Sequence, residues 1–83
     1  MFGDVMENKN LEMYYDISYK VSTYVFDYRK AHKLTQTQLA KKIGTTSQMV
    51  GKIESGNYNI SLENLCDIMA KLNAHINIMF IDK

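Results

Sequence analysis

The chain has 83 residues, 46% of them hydrophobic, and a formal net charge of +1, which fits one small folded domain and argues against a disordered chain. Its single cysteine, Cys66, excludes an intramolecular disulfide. No apolar run approaches the roughly 20 residues that span a membrane. These features predict a cytoplasmic protein that does not enter a membrane.

The net charge conceals a gradient along the chain. Residues 28–60 carry six basic side chains and one acidic side chain, a net charge of +5, whereas residues 1–27 carry −3 and residues 61–83 carry −1. Surfaces that face phosphate collect positive charge, so the middle of the chain is the natural place for nucleic acid to bind. Lysines on the solvated face of any helix would give the same count.

The N-terminal third is expected to contain an arm and a helix. Residues 1–10 are polar and predict a mobile N-terminal arm. From Leu11 to about His32, apolar and aromatic residues recur at intervals of three and four, as in one long helix or in two helices broken near Asp16. The aromatic residues exceed what one helix face can bury. The surplus, either core edge or contact surface, is Tyr15, Tyr19 and Phe26.

The stretch from residue 34 to residue 57 predicts two short helices joined by a tight turn. Thr35 and Gln38 have the spacing of a capping box at the start of the first helix. Gly44 suits the left-handed residue that ends this helix, and Thr46 is positioned to cap the next one. Val50 and Ile53, three residues apart, form the inward face of the second helix.

This pattern resembles the helix-turn-helix of the Cro/cI-type (XRE) repressor family. The resemblance implies a mainly α, lambda-repressor-like bundle of about five helices in which the second helix of the motif reads the major groove of DNA. The residues that carry it are Gln36, Leu39, Ala40, Ile43, Gly44, Thr46, Val50, Ile53, Glu54 and Gly56.

The resemblance also implies which residues meet DNA. Gln48 would bond adenine, Lys52 would reach guanine, and Gln36 would bind phosphate at the start of its helix. Met49 would either touch a thymine methyl group or pack on the protein. Gly51 departs from the usual polar residue and removes one reading side chain. The expected DNA contacts are Gln36, Thr46, Ser47, Gln48, Met49, Lys52 and the neighbourhood of Asn57.

A second point of resemblance is an ion pair within the domain. Many members of the family pair an arginine late in the first helix with a glutamate near the end of the recognition helix, and Arg29 and Glu54 stand at those positions. We expect them to form a structural ion pair, because the planar guanidinium suits bidentate contact with a carboxylate.

The helical domain is expected to cover residues 11–74. Its last helix is predicted to begin after Ser61 and to turn Leu62, Leu65, Met69 and Leu72 toward the core. Cys66 and Ile68 lie on the edges of this apolar stripe, and Cys66 is expected to be a small buried side chain.

Residues 75–83 are predicted to form a C-terminal dimerisation strand. The segment is rich in β-branched and aromatic residues, and a lone strand needs a partner, most simply the same strand of a second subunit. The alternative is a disordered or helical tail. The expected dimer contacts are His75, Ile76, Asn77, Ile78, Met79, Phe80 and Ile81.

The sequence suggests a binding protein and not an enzyme. His32 and His75 form no metal-ligand cluster with the one cysteine, and no cofactor motif appears. The layout is similar to that of HigA- and HipB-type antitoxins of type II toxin–antitoxin modules. This similarity implies a homodimer that binds double-stranded operator DNA, represses its own operon and neutralises a toxin, for instance a RelE-like one. The alternative is a stand-alone phage-type repressor.

Overall fold

The computed structural model describes residues 8–82, and these residues form four helices. The helices are α1 (Asn8–Ala31), α2 (Gln36–Ile43), α3 (Ser47–Ser55) and α4 (Leu62–Lys71). The prediction of a mainly α fold is confirmed, but the described part of the chain holds four helices and not about five. None of these helices combines the length and apolar character of a transmembrane segment.

Helix α1 is continuous, which decides between the two alternatives for this region. No glycine or proline interrupts residues 8–31, and Asp16 pairs with Lys20 one turn later at 3.1 Å. Such i,i+4 pairs support a helix through the site where a break was considered. The helix begins at Asn8, so residues 8–10 of the predicted arm are helical, and the rest of that arm lies outside the described residues.

The three shorter helices start at side-chain caps, as predicted. Thr35 Oγ1 accepts the backbone N–H of Gln38 at 3.1 Å, and Gln38 Oε1 accepts that of Thr35 at 2.8 Å, which completes a capping box. Thr46 caps α3 and Ser61 caps α4 in the same way, each through its hydroxyl oxygen. Each cap contributes about 1 kcal/mol because it satisfies an N–H that the helix leaves unpaired.

A residue with left-handed backbone follows each of the four helices, one position after the last residue of α2 and α3 and two positions after that of α1 and α4. After each of these residues, the next N–H reaches back to the carbonyl five positions earlier, as in a Schellman ending. Glycine adopts this conformation freely, whereas a residue with a Cβ is strained by roughly 1–2 kcal/mol. The left-handed residues are Lys33, Gly44, Gly56 and Asn73, with φ of 56°, 75°, 78° and 58°.

The core lies between the four helices, where α3 packs against α1 and α2, and α4 packs against α2. Val25 of α1, Leu39 of α2 and Val50 of α3 are fully buried, and Ala40 is small where α2 packs against α3. Burial of each large aliphatic side chain contributes about 1.5–3 kcal/mol. The buried apolar residues are Val25, Leu39, Ala40, Ile43, Val50, Ile53, Ile68, Met69 and Leu72.

The inward face of α4 differs from the predicted one. Ile68 and Met69 are buried, whereas Leu62 is 67% exposed and Cys66 is exposed. The packed stripe runs through residues 65, 68, 69 and 72, which is the i, i+3, i+4, i+7 pattern, and this stripe leaves residues 62 and 66 outside it. The prediction that Cys66 is buried was therefore wrong.

Residues 74–82 contain neither helix nor strand. The segment leaves α4 after Asn73, and Ile76 packs against the core. Four large apolar side chains that follow are open to solvent: Ile78, Met79, Phe80 and Ile81 are 60, 77, 92 and 81% exposed. The predicted strand is absent because a ladder needs a neighbouring strand, and residues 8–82 supply none.

The Arg29–Glu54 ion pair joins α1 to the end of α3. Arg29 Nε and Nη2 donate to the two carboxylate oxygens of Glu54 at 2.6 and 3.0 Å, while Nη1 donates to the carbonyl of Leu34 at 3.1 Å. The two side chains are only 11 and 7% exposed. The hydrogen bond with Glu54 and its negative charge raise the pKa of Arg29 against the opposing effect of burial, so this guanidinium stays charged.

Replacement of Arg29 by methionine should destabilise the domain by about 3 kcal/mol, because it leaves the Glu54 carboxylate enclosed without its partner. Lys30→Met is the matched control, since Lys30 is exposed and also lies 5.5 Å from the Phe26 ring that Arg29 contacts. Thermal and urea unfolding of both variants measures the difference. Equal stability of the two variants would show that the ion pair does not stabilise the domain.

Candidate nucleic-acid interface

Helix α3 has one face in the core and one face open to solvent. Val50 and Ile53 are 0 and 4% exposed and anchor the inner face. The outer face carries side chains at helical spacing around Gly51, so that several of them lie within one turn of this glycine. The outer residues are Ser47, Gln48, Gly51, Lys52 and Ser55, of which Gln48, Lys52 and Ser55 are exposed.

The expected base-reading residues do not all lie on this outer face. Gln48 and Lys52 are exposed and Ser47 is half-buried near the start of the helix. Met49 packs against the core, which is the second of its two predicted alternatives. Thr46 already accepts a hydrogen bond from the Met49 N–H, so its hydroxyl hydrogen is what remains for a phosphate.

The backbone at Asn57 is engaged by the end of α3. Its N–H donates to the carbonyl of Lys52 at 3.1 Å, and the N–H of Gly56 donates to that of Ile53 at 3.1 Å. These two backbone N–H groups are therefore already bonded, whereas the side chain of Asn57 is exposed, and a contact between this neighbourhood and phosphate stays a prediction. The glycine after the last helical residue predicts these two bonds, because a Schellman ending uses the N–H of that glycine and the N–H of the residue after it.

Gln36 is the first residue of α2 and makes a contact that its sequence position does not reveal. Its side-chain Nε2 donates to Glu54 Oε1 at 3.2 Å, so Glu54 receives both Arg29 and Gln36. Glu54 therefore orients the side chain of Gln36, a predicted DNA contact, in addition to joining α3 to α1 through Arg29. The backbone N–H at this position remains a suitable phosphate donor, since the first N–H groups of a helix have no acceptor within it.

Lysine side chains surround the motif, and one of them has a structural role that the sequence did not indicate. Lys41, Lys42 and Lys52 are exposed. Lys71 of α4 instead donates to the carbonyl of Ile43 at 3.3 Å and pairs with Asp67 at 2.9 Å. A cation at the C-terminal end of α2 satisfies a free carbonyl and interacts favourably with the helix dipole.

Residues 8–82 contain no group of three histidine, cysteine, aspartate or glutamate side chains that could hold a metal ion. The polar groups on the outer face of α3 and at the start of α2 are carboxamides, hydroxyls, a lysine ammonium group and the first N–H groups of a helix. These groups donate hydrogen bonds to phosphates and base edges.

Comparisons with known proteins agree with this geometry. A helix-turn-helix family profile matches residues 25–78, which is more than half of the chain. An uncharacterised HTH-type transcriptional regulator of Archaeoglobus fulgidus is 36% identical over 59 residues, covering 71% of this chain and 84% of the relative. Another, from Methanocaldococcus jannaschii, is 41% identical over 54 residues, covering 65% of this chain and 82% of the relative. The chain belongs to the XRE-type helix-turn-helix family.

Proposed function

We propose that this protein is a sequence-specific DNA-binding transcriptional regulator that represses transcription from its operator. The observation that carries the proposal is the outer face of α3, where Gln48 and Lys52 stand exposed while Val50 and Ile53 anchor the helix in the core. The family membership and the curated relatives, which are named transcriptional regulators, support the same function.

Recognition would follow from the chemistry of the side chains. With α3 in the major groove, the Gln48 carboxamide matches the N6/N7 edge of adenine, and the Lys52 ammonium group matches O6 and N7 of guanine. Thr46, Asn57 and the backbone at Gln36 would hold the flanking phosphates and set the register. Occupation of an operator that overlaps a promoter would exclude polymerase and repress the gene.

Gln48→Ala should lose discrimination at particular base pairs by about 1–3 kcal/mol, the cost of one good bidentate contact. Binding is measured on DNA selected by the purified protein and on scrambled DNA, each at several salt concentrations. Asn59→Ala removes an exposed carboxamide from the α3–α4 loop and should leave base preference unchanged. Equal affinity of the unaltered protein for both DNAs at every salt concentration would refute sequence-specific binding.

We further propose a homodimer that pairs through residues 75–81. The exposed apolar run from Ile78 to Ile81 is the supporting feature, since such patches on small proteins mark interaction sites. Strand pairing across a two-fold axis would give hydrogen-bond partners to the backbone N–H and C=O groups of this segment and would cover the apolar side chains. It would also present two copies of α3 to half-sites about one helical turn apart, roughly 34 Å.

Truncation after Asn77 tests the dimer, because it removes the exposed apolar run and retains Ile76 in the core. The truncated protein should be monomeric by light scattering, should melt like the full chain at low concentration, and should bind its operator far more weakly. Leu62→Ser removes another exposed apolar side chain, on α4, and should leave the dimer intact. A truncated protein that is still dimeric would assign the interface elsewhere, with α1 as the first candidate.

A second function is favoured by the outer surface of α1. Tyr15, Tyr19 and Phe26 recur at intervals of four and seven, lie along one face, and are 61, 69 and 40% exposed. We call these three residues the aromatic stripe. Tyrosine is enriched in protein interfaces, and the −3 charge of residues 1–27 would steer a basic partner. The stripe fits the antitoxin function, in which the protein neutralises a RelE-like toxin and represses their common operon.

The antitoxin function is tested by co-expression with the product of the adjacent gene. The full chain should copurify with a small basic toxin, and the double variant Tyr15→Ser, Tyr19→Ser should not, while it still binds operator DNA. Tyr24→Ser is the matched control, since Tyr24 is 43% exposed on the other flank of α1. Absence of a complex with the full chain would leave the stand-alone repressor as the function.

A further inference from the structure

The outer face of α3 lacks a side chain near its middle. Gly51 lies within one turn of Ser47, Gln48 and Ser55, where a reading helix would ordinarily present a polar side chain to DNA. A glycine inside a helix costs about 1 kcal/mol relative to alanine. The packing of α3 does not require a glycine at residue 51, because an added Cβ would lie at ordinary van der Waals distance from its neighbours.

The space above Gly51 is occupied from another helix. A Cβ added at Gly51 would have as its nearest neighbours Nε2 and Oε1 of Gln36, both at 3.9 Å, with no other side chain within 4 Å. The carboxamide of Gln36 therefore lies over α3 although its backbone belongs to α2. It covers the position from which the missing side chain of α3 would have projected.

One hydrogen bond holds this carboxamide in place, and its acceptor is itself held by an ion pair. Gln36 Nε2 donates to Glu54 Oε1 at 3.2 Å, and Glu54 is in turn fixed by Arg29 at 2.6 and 3.0 Å. A carboxylate accepts hydrogen bonds and donates none, so the nitrogen of the carboxamide must face Glu54. One N–H is thus committed, and one N–H and the carbonyl oxygen remain available.

The remaining N–H and oxygen form a donor–acceptor pair. This pair matches the N7 acceptor and N6 amino donor that adenine presents in the major groove. A phosphate offers acceptors only, so it would use the N–H and leave the carbonyl oxygen to water, whereas an adenine edge would use both groups. The Gln36 carboxamide over Gly51 therefore suits a base edge better than a phosphate of the DNA backbone.

We propose that Gln36 is a specificity-determining residue, whose carboxamide is held over Gly51 by Glu54 and reads a base edge in place of the side chain that α3 lacks. Glu54 and Arg29 are positioning residues for this contact. The proposal rests on the DNA-binding function proposed above and assigns the role of a reader to a residue expected from sequence to contact phosphate.

The test compares affinities for the selected operator and for operators with single base-pair changes. Gln36→Ala should lose discrimination at one base pair of each half-site by about tenfold or more, and this pair should differ from the one lost in Gln48→Ala. Thr37→Ala, one residue further along α2, should leave base preference unchanged. A uniform loss across all operators in Gln36→Ala would overturn the proposal and assign Gln36 to phosphate.

Gly51 supplies a second, independent variant series. Leucine and alanine are both good helix formers. The alanine Cβ would lie at ordinary contact distance from the carboxamide, 3.9 Å, whereas the longer leucine side chain is expected to compete with the carboxamide for this space. Gly51→Leu should lose discrimination at the Gln36 base pair although Gln36 is intact, and should do so more than Gly51→Ala. Adding Gln36→Ala to Gly51→Leu should cause no further loss there. Additive losses would show that the two residues act separately and would overturn the proposal.

A measurement without DNA separates this proposal from the DNA-binding function. In nuclear magnetic resonance spectra of the free protein, the Gln36 side-chain amide should show cross-peaks to the Gly51 α-protons, and these should vanish in Gly51→Leu. Absence of the cross-peaks in a protein that still selects an operator would overturn the proposal alone. Presence of the cross-peaks in a protein that binds all DNA equally would refute both sequence-specific binding and the assigned reading role.

Discussion

The nearly buried pair of Arg29 and Glu54 is the constraint on which the arrangement of the motif depends. One guanidinium binds both oxygens of a carboxylate 25 residues away and, through its third nitrogen, the carbonyl of Leu34 in the turn before α2. Because desolvation offsets much of the attraction, such a pair contributes more to geometry than to net stability. It sets the end of α3 against α1, and through Gln36 it reaches the start of α2.

The features that sequence reasoning recovered are those whose partners lie a few residues away. Thr35 and Gln38 satisfy one another three residues apart, and Gly44 ends α2 through its own backbone conformation. The stripe of Leu39, Ala40 and Ile43 follows from helical period alone. Such signals do not depend on the rest of the fold, and this is why the two helices of the motif and their turn were predictable with their approximate limits.

The features that escaped prediction depend on contacts through space. The bond from Gln36 to Glu54 joins residues 18 positions apart, and the bond from Lys71 to the end of α2 spans 28. The exposure of Cys66 depends on how α4 is rotated on the core. Residues 62, 65, 69 and 72 and residues 65, 68, 69 and 72 both have helical spacing, so the sequence does not determine this rotation. The segment after Asn73 illustrates a different limit, since β-propensity describes a side chain's suitability for a sheet and supplies no neighbouring strand.

The left-handed endings of the helices have a consequence for the rate at which the chain folds. Two of the endings use glycine and two use other residues, Lys33 and Asn73, but each of the four is closed by a backbone hydrogen bond that spans only five residues. The chain reversals are therefore determined locally and most contacts join residues close in sequence. Helical domains with such low contact order fold in microseconds to milliseconds. The long-range bonds from Arg29 to Glu54 and from Lys71 to Ile43 then cost little further chain entropy, because the turns have already brought these residues near one another.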